Sequence, residues 1–311
     1  MIVIKPLRPD RRSNGADGSS VAAVGASAMM KRVGMAAALI AAAAVGWAAS
    51  AIAARAADAS VPILLYHRFD ASRAGSAMAV TTPVFEQQLN WLADHGYKVA
   101  RLGAVVDALR GGGPIDPRTV VITVDDSWRS QYSEMFPIIL RHGIPVTLFV
   151  VAHAVSMENA ELTWDEIDEM MKSGLVDVQS HTSTHPNFNH ARASKRPADF
   201  AAFVVKELQG SKATLEARVK RPISYLAWPY GVFNPDLERA AVAAGYGAAF
   251  IVGGRRAVAG GDALALPRIV VSDADRGARF ARLLLLGGGA PVAAAAPPAA
   301  CAAHGAAPAS P

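Results

Sequence analysis

The chain has 311 residues, a formal net charge of +5 and 52% hydrophobic residues, and alanine at the two ends inflates that apolar fraction, so composition does not indicate a membrane protein. The single cysteine, Cys301, excludes an intrachain disulfide framework and a cysteine-based metal site. The basic residues near the N-terminus flank an apolar run instead of alternating with aromatic residues, which argues against nucleic acid as a partner.

The first 57 residues have the features of an export signal. Met30-Lys31-Arg32 precedes an apolar run from about Val33 to Ala54, and Ala54-Arg55-Ala56 offers a small-x-small cleavage site. The run is about 20 residues long, which also suits an uncleaved membrane tether. A buried helix is the remaining alternative. Whether cleaved or retained, such a signal predicts a periplasmic or cell-envelope location for the rest of the chain.

Residues 58–286 alternate between strand-type and helical segments and are predicted to form one domain. Short apolar and β-branched runs predict strands at 61–66, 99–102, 120–124, 146–151, 176–180, 225–228 and 248–252. Helical periodicity predicts a helix that begins at Thr82-Pro83, with Thr82 as its N-cap, and further helices within 105–109, 132–142, 164–173, 197–219 and 234–244. Residues 287–311 are mostly Ala, Pro and Gly and are predicted to be a disordered tail.

Repeated strand–helix units predict an α/β fold with parallel strands and helices outside them. So many units in one domain favour a single distorted (β/α) barrel over an open doubly wound sheet, and the sequence contains no glycine-rich nucleotide-binding motif. In such barrels the reacting groups lie at the C-terminal ends of the strands. The residues that follow 120–124, 176–180 and 225–228 are therefore the candidate site.

An acidic pair, Asp125 and Asp126, follows the predicted strand 120–124. Adjacent carboxylates repel each other and need a cation, hydrogen bonds or water to stabilise them. At a strand end their side chains point in different directions, so one can bind a metal while the other accepts a proton. A helix N-cap beside a solvated carboxylate is the alternative.

Two histidines, His181 and His185, follow the predicted strand 176–180 at a spacing of four. They can share a helical face or meet across a turn, and both arrangements suit one metal ion. With a carboxylate from another strand end they form a two-histidine, one-carboxylate set, which leaves coordination positions open for water and substrate. One packed and one solvated histidine is the alternative.

Three segments together resemble the motifs of the NodB-type polysaccharide deacetylases, the family-4 carbohydrate esterases. They are Thr123-Val124-Asp125-Asp126, Ser180-His181-Thr182-Ser183-Thr184-His185-Pro186 and Leu226-Ala227-Trp228-Pro229-Tyr230-Gly231, in the order and spacing of the family. The resemblance extends from about Val61 to Val271. It implies a distorted (β/α) barrel that removes N-acetyl groups from a polysaccharide.

The same resemblance implies roles for the site residues. Asp126, His181 and His185 would be ligands of a divalent metal, zinc first, with cobalt, nickel or manganese as alternatives. Asp125 would be the general base that activates the metal-bound water, and the backbone N–H of Tyr230 would stabilise the oxyanion.

The chain departs from the family pattern in three places. Ser127 follows the acidic pair where many members have glycine, and Ala227 stands where many have an arginine that steadies the base. The family's late histidine, its usual general acid, has no counterpart, since the only late histidine is His304 in the tail.

A subgroup of the family lacks both the motif arginine and the late histidine. Pro62-Ile63-Leu64-Leu65-Tyr66-His67-Arg68 resembles the opening strand of the biofilm poly-N-acetylglucosamine deacetylases, in which a histidine after the first strand is thought to be the acid. The resemblance implies His67 as that acid, with a structural histidine as the alternative. Leu266-Pro267-Arg268-Ile269 resembles their late strand, and we expect Arg268 to orient Asp125, with a surface ion pair as the alternative.

The expected activity is metal-dependent hydrolysis of N-acetyl groups on an N-acetylglucosamine-containing polysaccharide. Ser127 and Ala227 also suit a weakly active relative that only binds glycans, and an O-acetyl esterase or another non-peptide C–N hydrolase would use the same centre. Trp128 and Trp228 suit either stacking on sugar rings or packing in the core.

Overall fold

The computed structural model describes residues 60–72 and 74–286. The predicted export segment, 1–57, and the predicted tail, 287–311, lie outside these residues. Within the described part of the chain, no helix is both long enough and apolar enough to cross a membrane.

The strands occur in the order that the sequence pattern predicts, with additional short ones. They are β1 Ser60–Val61, β2 Ile63–Tyr66, β3 Arg68–Asp70, β4 Ala79–Thr81, β5 Lys98–Val99, β6 Thr119–Asp125, β7 Val146–Val150, β8 Val176–Ser180, β9 Tyr225–Ala227, β10 Ala248–Val252, β11 Ala257–Val258 and β12 Leu266–Val270. The described α-helices are α1 Thr82–Asp94, α2 Leu102–Asp107, α3 Phe136–His142, α4 Trp164–Lys172, α5 Phe188–Ser194, α6 Pro197–Val219, α7 Pro235–Ala243 and α8 Ala278–Leu285, and short π-helices cover Ala108–Gly112 and Gln131–Met135.

Parallel pairing closes the sheet into a barrel. The neighbours run β2-β12-β10-β9-β8-β7-β6, and β6 pairs again with β2, so seven strands of the described chain form the ring. β5 pairs in parallel with the first residues of β6. The predicted (β/α) barrel is confirmed, and its parallel strands place all their C-terminal ends at the same rim.

The strand β6 shows how the sequence specifies this position in the barrel. Its seven residues are all buried, as expected of a parallel strand covered on both faces. Ile122 and Val124 belong to the large core cluster that also contains helical residues such as Phe85 and Leu89. Because side chains alternate along a strand, Thr123 and Asp125 face the opposite way, into the barrel.

Several predicted boundaries differ from the structure. The expected strand 61–66 is divided at Pro62, which has no N–H to contribute to a strand ladder. Thr82 is the first residue of α1 and Thr81 is its N-cap, so the prediction of Thr82 as N-cap was wrong. Leu102 begins α2 instead of ending a strand. The helices α5 and α8 were not predicted from the sequence.

Candidate active site

The three predicted metal ligands converge at the C-terminal rim. Oδ1 of Asp126 lies 3.4 Å from Nε2 of His181 and 3.5 Å from Nε2 of His185. One donor atom from each residue lies within 4.8 Å of the others. The 3.4 and 3.5 Å separations exceed those of ordinary hydrogen bonds. They match the roughly 3.4 Å between two ligands that each bind one tetrahedral ion at about 2.1 Å. The residues therefore fit a divalent cation.

The turn after β6 directs the acidic pair in two directions. Asp126 and Ser127 have φ angles of 77° and 63°, so two consecutive non-glycine residues are left-handed. Oγ of Ser127 accepts a hydrogen bond from the N–H of Val151 at 2.9 Å, and the carbonyl of Ser127 accepts one from Leu162 at 2.8 Å. The serine that replaces the family's usual glycine thus has a structural partner, which accounts for its presence in a strained conformation.

The two histidines meet across a turn, which decides between the arrangements that the sequence left open. Nδ1 of His181 donates to the carbonyl of Ala227 at 2.8 Å, because a carbonyl can only accept. That hydrogen bond directs Nε2 towards Asp126, as an outer partner of a metal-binding histidine normally does. Thr182 and His185 are left-handed, and Oγ1 of Thr182 accepts from the N–H of His185 at 3.1 Å.

Asp125 is held by Arg268 inside the barrel. Nη1 and Nη2 of Arg268 donate to Oδ1 and Oδ2 of Asp125, each at 2.7 Å. The side chain of Arg268 is 0% exposed, so the alternative of a surface ion pair was wrong. The guanidinium also lies 5.2 Å from the centre of the Phe149 ring and donates to Oγ1 of Thr123 at 3.3 Å. Burial opposes ionisation of Asp125, but the charge and hydrogen bonds of Arg268, together with the charges of His181 and His67, outweigh it and lower the pKa of the carboxyl.

His67 follows β2 and is 7% exposed. Burial lowers its pKa, although the charges of Asp126 and Asp125 act in the opposite direction. Its Nδ1 is buried and has no hydrogen-bond partner among the described residues. That nitrogen is therefore not occupied by a structural contact within this part of the chain.

Gln131 is a site residue that was not predicted from the sequence. Its Nε2 donates to the carbonyls of both His67, at 3.0 Å, and Asp125, at 2.6 Å. The side chain thereby joins the ends of β2 and β6, which carry the candidate acid and the candidate base. A single glutamine beyond a strand end belongs to no motif, so no signal in the sequence identified it.

The aromatic residues near the site differ in burial and in the groups that they contact. The turn Pro229–Gly231 gives Tyr230 a φ of 57° and places its ring 4.7 Å from that of His185. Trp228 is 1% exposed and donates from Nε1 to the carbonyl of Leu264 at 2.9 Å. Trp228 therefore packs in the core, and its predicted alternative as a sugar platform was wrong. Trp128 is partly buried, with the guanidinium of Arg68 5.4 Å from its ring centre.

Comparisons with known proteins agree with this fold. The family model described as polysaccharide deacetylase matches residues 112–249. A poly-beta-1,6-N-acetyl-D-glucosamine N-deacetylase from Staphylococcus aureus is 28% identical over 209 residues, which is 66% of this chain and 72% of that protein.

Solved structures share the barrel. IcaB from Ammonifex degensii matches with a TM-score of 0.64 and 26% identity, over 72% of this chain and 97% of the other. The Streptococcus pyogenes deacetylase PplD in complex with acetate matches with a TM-score of 0.65 over 73% of this chain and 98% of the other. At 24% identity, PplD shows a likeness of fold alone.

Proposed function

Because the chain contains a polysaccharide deacetylase domain of the NodB type, we propose that it hydrolyses the N-acetyl groups of an N-acetylglucosamine-containing polysaccharide and releases acetate. One observation carries the proposal. Asp126, His181 and His185 converge with the geometry of a metal site, and a buried arginine holds a second carboxylate, Asp125, beside them.

Asp126, His181 and His185 would hold the divalent ion, for which zinc is the first candidate because two imidazoles and a carboxylate form a common zinc ligand set. A bound divalent ion supplies Lewis acidity, which polarises an acyl oxygen and lowers the pKa of water to about 7. Cobalt, nickel and manganese are alternatives with the same ligands.

Asp125 would be the general base. Oδ2 of Asp125 lies 3.6 Å from Nε2 of His181, so the carboxylate is adjacent to the proposed metal site. The lowered pKa keeps it ionised at neutral pH, and each oxygen bonded to Arg268 retains a further lone pair that can accept a proton. Arg268 would therefore orient the base and keep it charged, in place of the arginine that Ala227 replaces.

The leaving amine requires a proton, and His67 would supply it. General acid catalysis of this kind contributes about 10² to 10⁴ in rate. Burial lowers the pKa of His67 and favours the neutral imidazole, so the proton that it would give to the amine would be the one that Asp125 removes from the attacking water. The backbone N–H of Tyr230 would stabilise the oxyanion, where loss of one donor costs about 10² to 10³ in rate.

Two features support an active enzyme over a weakly active glycan-binding relative. Ser127, which departs from the usual glycine, accepts a hydrogen bond from Val151, so the acidic pair keeps an ordered turn. Arg268 occupies both oxygens of Asp125, so the missing motif arginine has a replacement. The substrate we favour is poly-β-1,6-N-acetylglucosamine, because the name of the Staphylococcus aureus relative gives that polymer as its substrate.

The decisive experiment measures acetate release by the purified protein from three glycans. We expect release from β-1,6-linked N-acetylglucosamine oligomers, loss of release after chelation, and recovery when zinc is added. Chitin oligomers and an O-acetylated glycan are the comparison substrates. Faster release from the O-acetylated glycan would favour an esterase, and release that survives complete removal of metal would refute the proposed centre.

We place this activity outside the cytoplasm, in the periplasm or cell envelope, because Met30-Lys31-Arg32 and the apolar run after it have the pattern of an export signal. Fractionation of cells that produce the chain, followed by N-terminal sequencing, would test this location. A new N-terminus after Ala56 supports cleavage, whereas an uncleaved chain in the membrane fraction supports a tether.

A further inference from the structure

The turn that carries both histidines adopts a backbone conformation that its own residues do not favour. Thr182 and His185 have φ angles of 67° and 55°, and neither is a glycine. Both imidazoles depend on this conformation, because His181 begins the segment and His185 ends it. Contacts from outside the turn must therefore contribute to holding it.

Glu207, in the middle of α6, makes such contacts. Its Oε2 accepts hydrogen bonds from the N–H groups of Ser183 at 3.0 Å and Thr184 at 2.8 Å. Its Oε1 accepts from Oγ1 of Thr184 at 2.7 Å. One carboxylate thus binds the two residues at the centre of the turn. Glu207 is 2% exposed, and hydrogen bonds to an ionised acceptor are among the stronger ones in proteins.

Two hydrogen bonds hold α6 against the barrel, one to β8 and one to the segment before β10. Oγ of Ser211, one helical turn after Glu207, lies 2.8 Å from Oγ of Ser180, the last residue of β8. The hydroxyl of Tyr246 donates to the carbonyl of Leu208 at 3.0 Å. The carboxylate of Glu207 therefore projects from a helix that is registered against the strand leading into His181.

We propose that Glu207 is a positioning residue for the metal centre. It holds the 181–185 turn in the conformation that directs the two imidazoles towards Asp126, and so sets the affinity of the protein for the divalent ion. The inference rests on the proposed function, because it presupposes that Asp126, His181 and His185 bind that ion. Glu207 does not itself contact the ion or the substrate.

The test is the affinity of metal-free, full-length protein for Zn²⁺, measured by competition with a chromophoric chelator. In Glu207→Gln the amide nitrogen cannot accept a hydrogen bond, so at least one contact to the turn is lost. We expect the dissociation constant for Zn²⁺ to rise by roughly 10- to 100-fold, the range for outer-shell partners of metal ligands. The visible spectrum of the Co²⁺-loaded variant should also shift, which a loss of stability alone would not cause.

The matched control is Glu216→Gln on the same helix. Oε1 of Glu216 accepts from the N–H of Ile223 at 3.0 Å and pairs with Lys212 at 2.8 Å. This carboxylate contacts the loop before β9 and not the histidine turn, so its removal should leave the Zn²⁺ affinity unchanged within about twofold, close to the scale of measurement error.

A milder variant, Thr184→Val, keeps the test informative if Glu207→Gln fails to fold. It removes only the hydroxyl that donates to Oε1 and should weaken Zn²⁺ binding by about three- to tenfold, as expected for one hydrogen bond. Wild-type affinity in both Glu207→Gln and Thr184→Val, or in Thr184→Val alone if the other does not fold, would overturn the inference. A wild-type protein that binds no divalent ion would instead overturn the proposed function.

Discussion

Asp125 and Asp126 are adjacent in the chain, yet they have different partners. Asp125 belongs to strand β6 and faces Arg268, whereas Asp126 lies in the left-handed turn after it and faces two histidines. Burial alone would raise the pKa of both carboxyls, but positive neighbours lower it. His181 and His67 act on both carboxyls, whereas Arg268 acts on Asp125 and His185 on Asp126, so the two carboxylates have partly different surroundings that suit two different roles.

Substitutions of the acidic pair should separate metal binding from turnover. We expect Asp126→Ala to lose both bound zinc and activity, because one of the three ligands is removed. Asp125→Asn should keep about one zinc per chain and lose at least roughly a hundredfold in kcat, since the amide cannot act as a base. Zinc content by atomic emission and acetate release check both. Normal turnover in Asp125→Asn would refute its assignment as the base.

Replacing only one residue of the buried Asp125–Arg268 pair should strongly reduce the stability of the protein. In Arg268→Met the carboxylate stays buried without its partner, and we expect the free energy of unfolding to fall by about 3 to 5 kcal/mol. The double variant Asp125→Asn, Arg268→Met removes both charges and should recover part of that loss. Urea denaturation measures each value. If the free energy of unfolding falls equally in Arg268→Met and in the double variant, the unpaired carboxylate is not the cause of the loss.

His67→Gln should slow acetate release without changing the zinc content. The expected loss is about 10² to 10⁴ in kcat, because the leaving amine no longer receives its proton from a positioned acid. The substitution should slow the hydrolysis of a substrate with a more acidic leaving group, such as an aryl acetate, much less, because that leaving group does not need a proton from an acid. If the variant turns over N-acetylglucosamine oligomers at the wild-type rate, another residue is the acid.

Among the elements, β6 and β7 are joined beyond their last residues by a single serine. Oγ of Ser127 accepts from the N–H of Val151, which follows β7 directly. This contact links the turn that carries Asp126 to the neighbouring strand, so the order of this proposed metal ligand depends on the residue that follows β7.

Replacing that serine should destabilise the protein in a graded way. Ser127→Ala leaves a buried N–H of Val151 unpaired, and we expect a loss of about 1 to 3 kcal/mol. Ser127→Gly loses the same hydrogen bond but relieves the left-handed conformation, so its loss should be about 1 kcal/mol smaller. The free energies of unfolding in urea give the comparison. An alanine variant as stable as the wild type would show that water replaces the hydroxyl.

At the level of elements, the sequence predicted the type of most segments better than their ends. The seven buried residues of β6 and the helical periodicity of α6 are strong local signals. The boundary at Leu102 and the N-cap at Thr81 were missed, because neighbouring residues with similar propensities compete and tertiary packing decides between them.

On the scale of the whole molecule, closure of the barrel brings the residues of the candidate site together. β2, β6, β8 and β12 come from distant parts of the chain, and parallel pairing directs their C-terminal ends to one rim. Metal bound there would connect β6 to the loop after β8, and would therefore stabilise the folded state against the unfolded chain.

Chelation should thus lower the melting temperature of the whole domain. A ligand at a hundred times its Kd stabilises the native state by about 2.7 kcal/mol. For a domain of this size that corresponds to a shift in Tm of about 5 to 10 °C. Differential scanning fluorimetry with and without chelator provides the measurement, and Asp126→Ala, whose Tm should not respond to the chelator, is the control. An unchanged Tm in the wild type would count against a resident metal.

The sequence alone determined the strand–helix alternation, the barrel, and the candidates Asp125, Asp126, His181 and His185, because apolar patterning is local and each motif lies within a few residues. Arg268 was predicted as a partner of Asp125 only through resemblance, and the structure provides the contact across 143 positions. Only the tertiary structure revealed Gln131 and Glu207, since each acts through hydrogen bonds between segments whose proximity depends on the closed barrel and its packed helices.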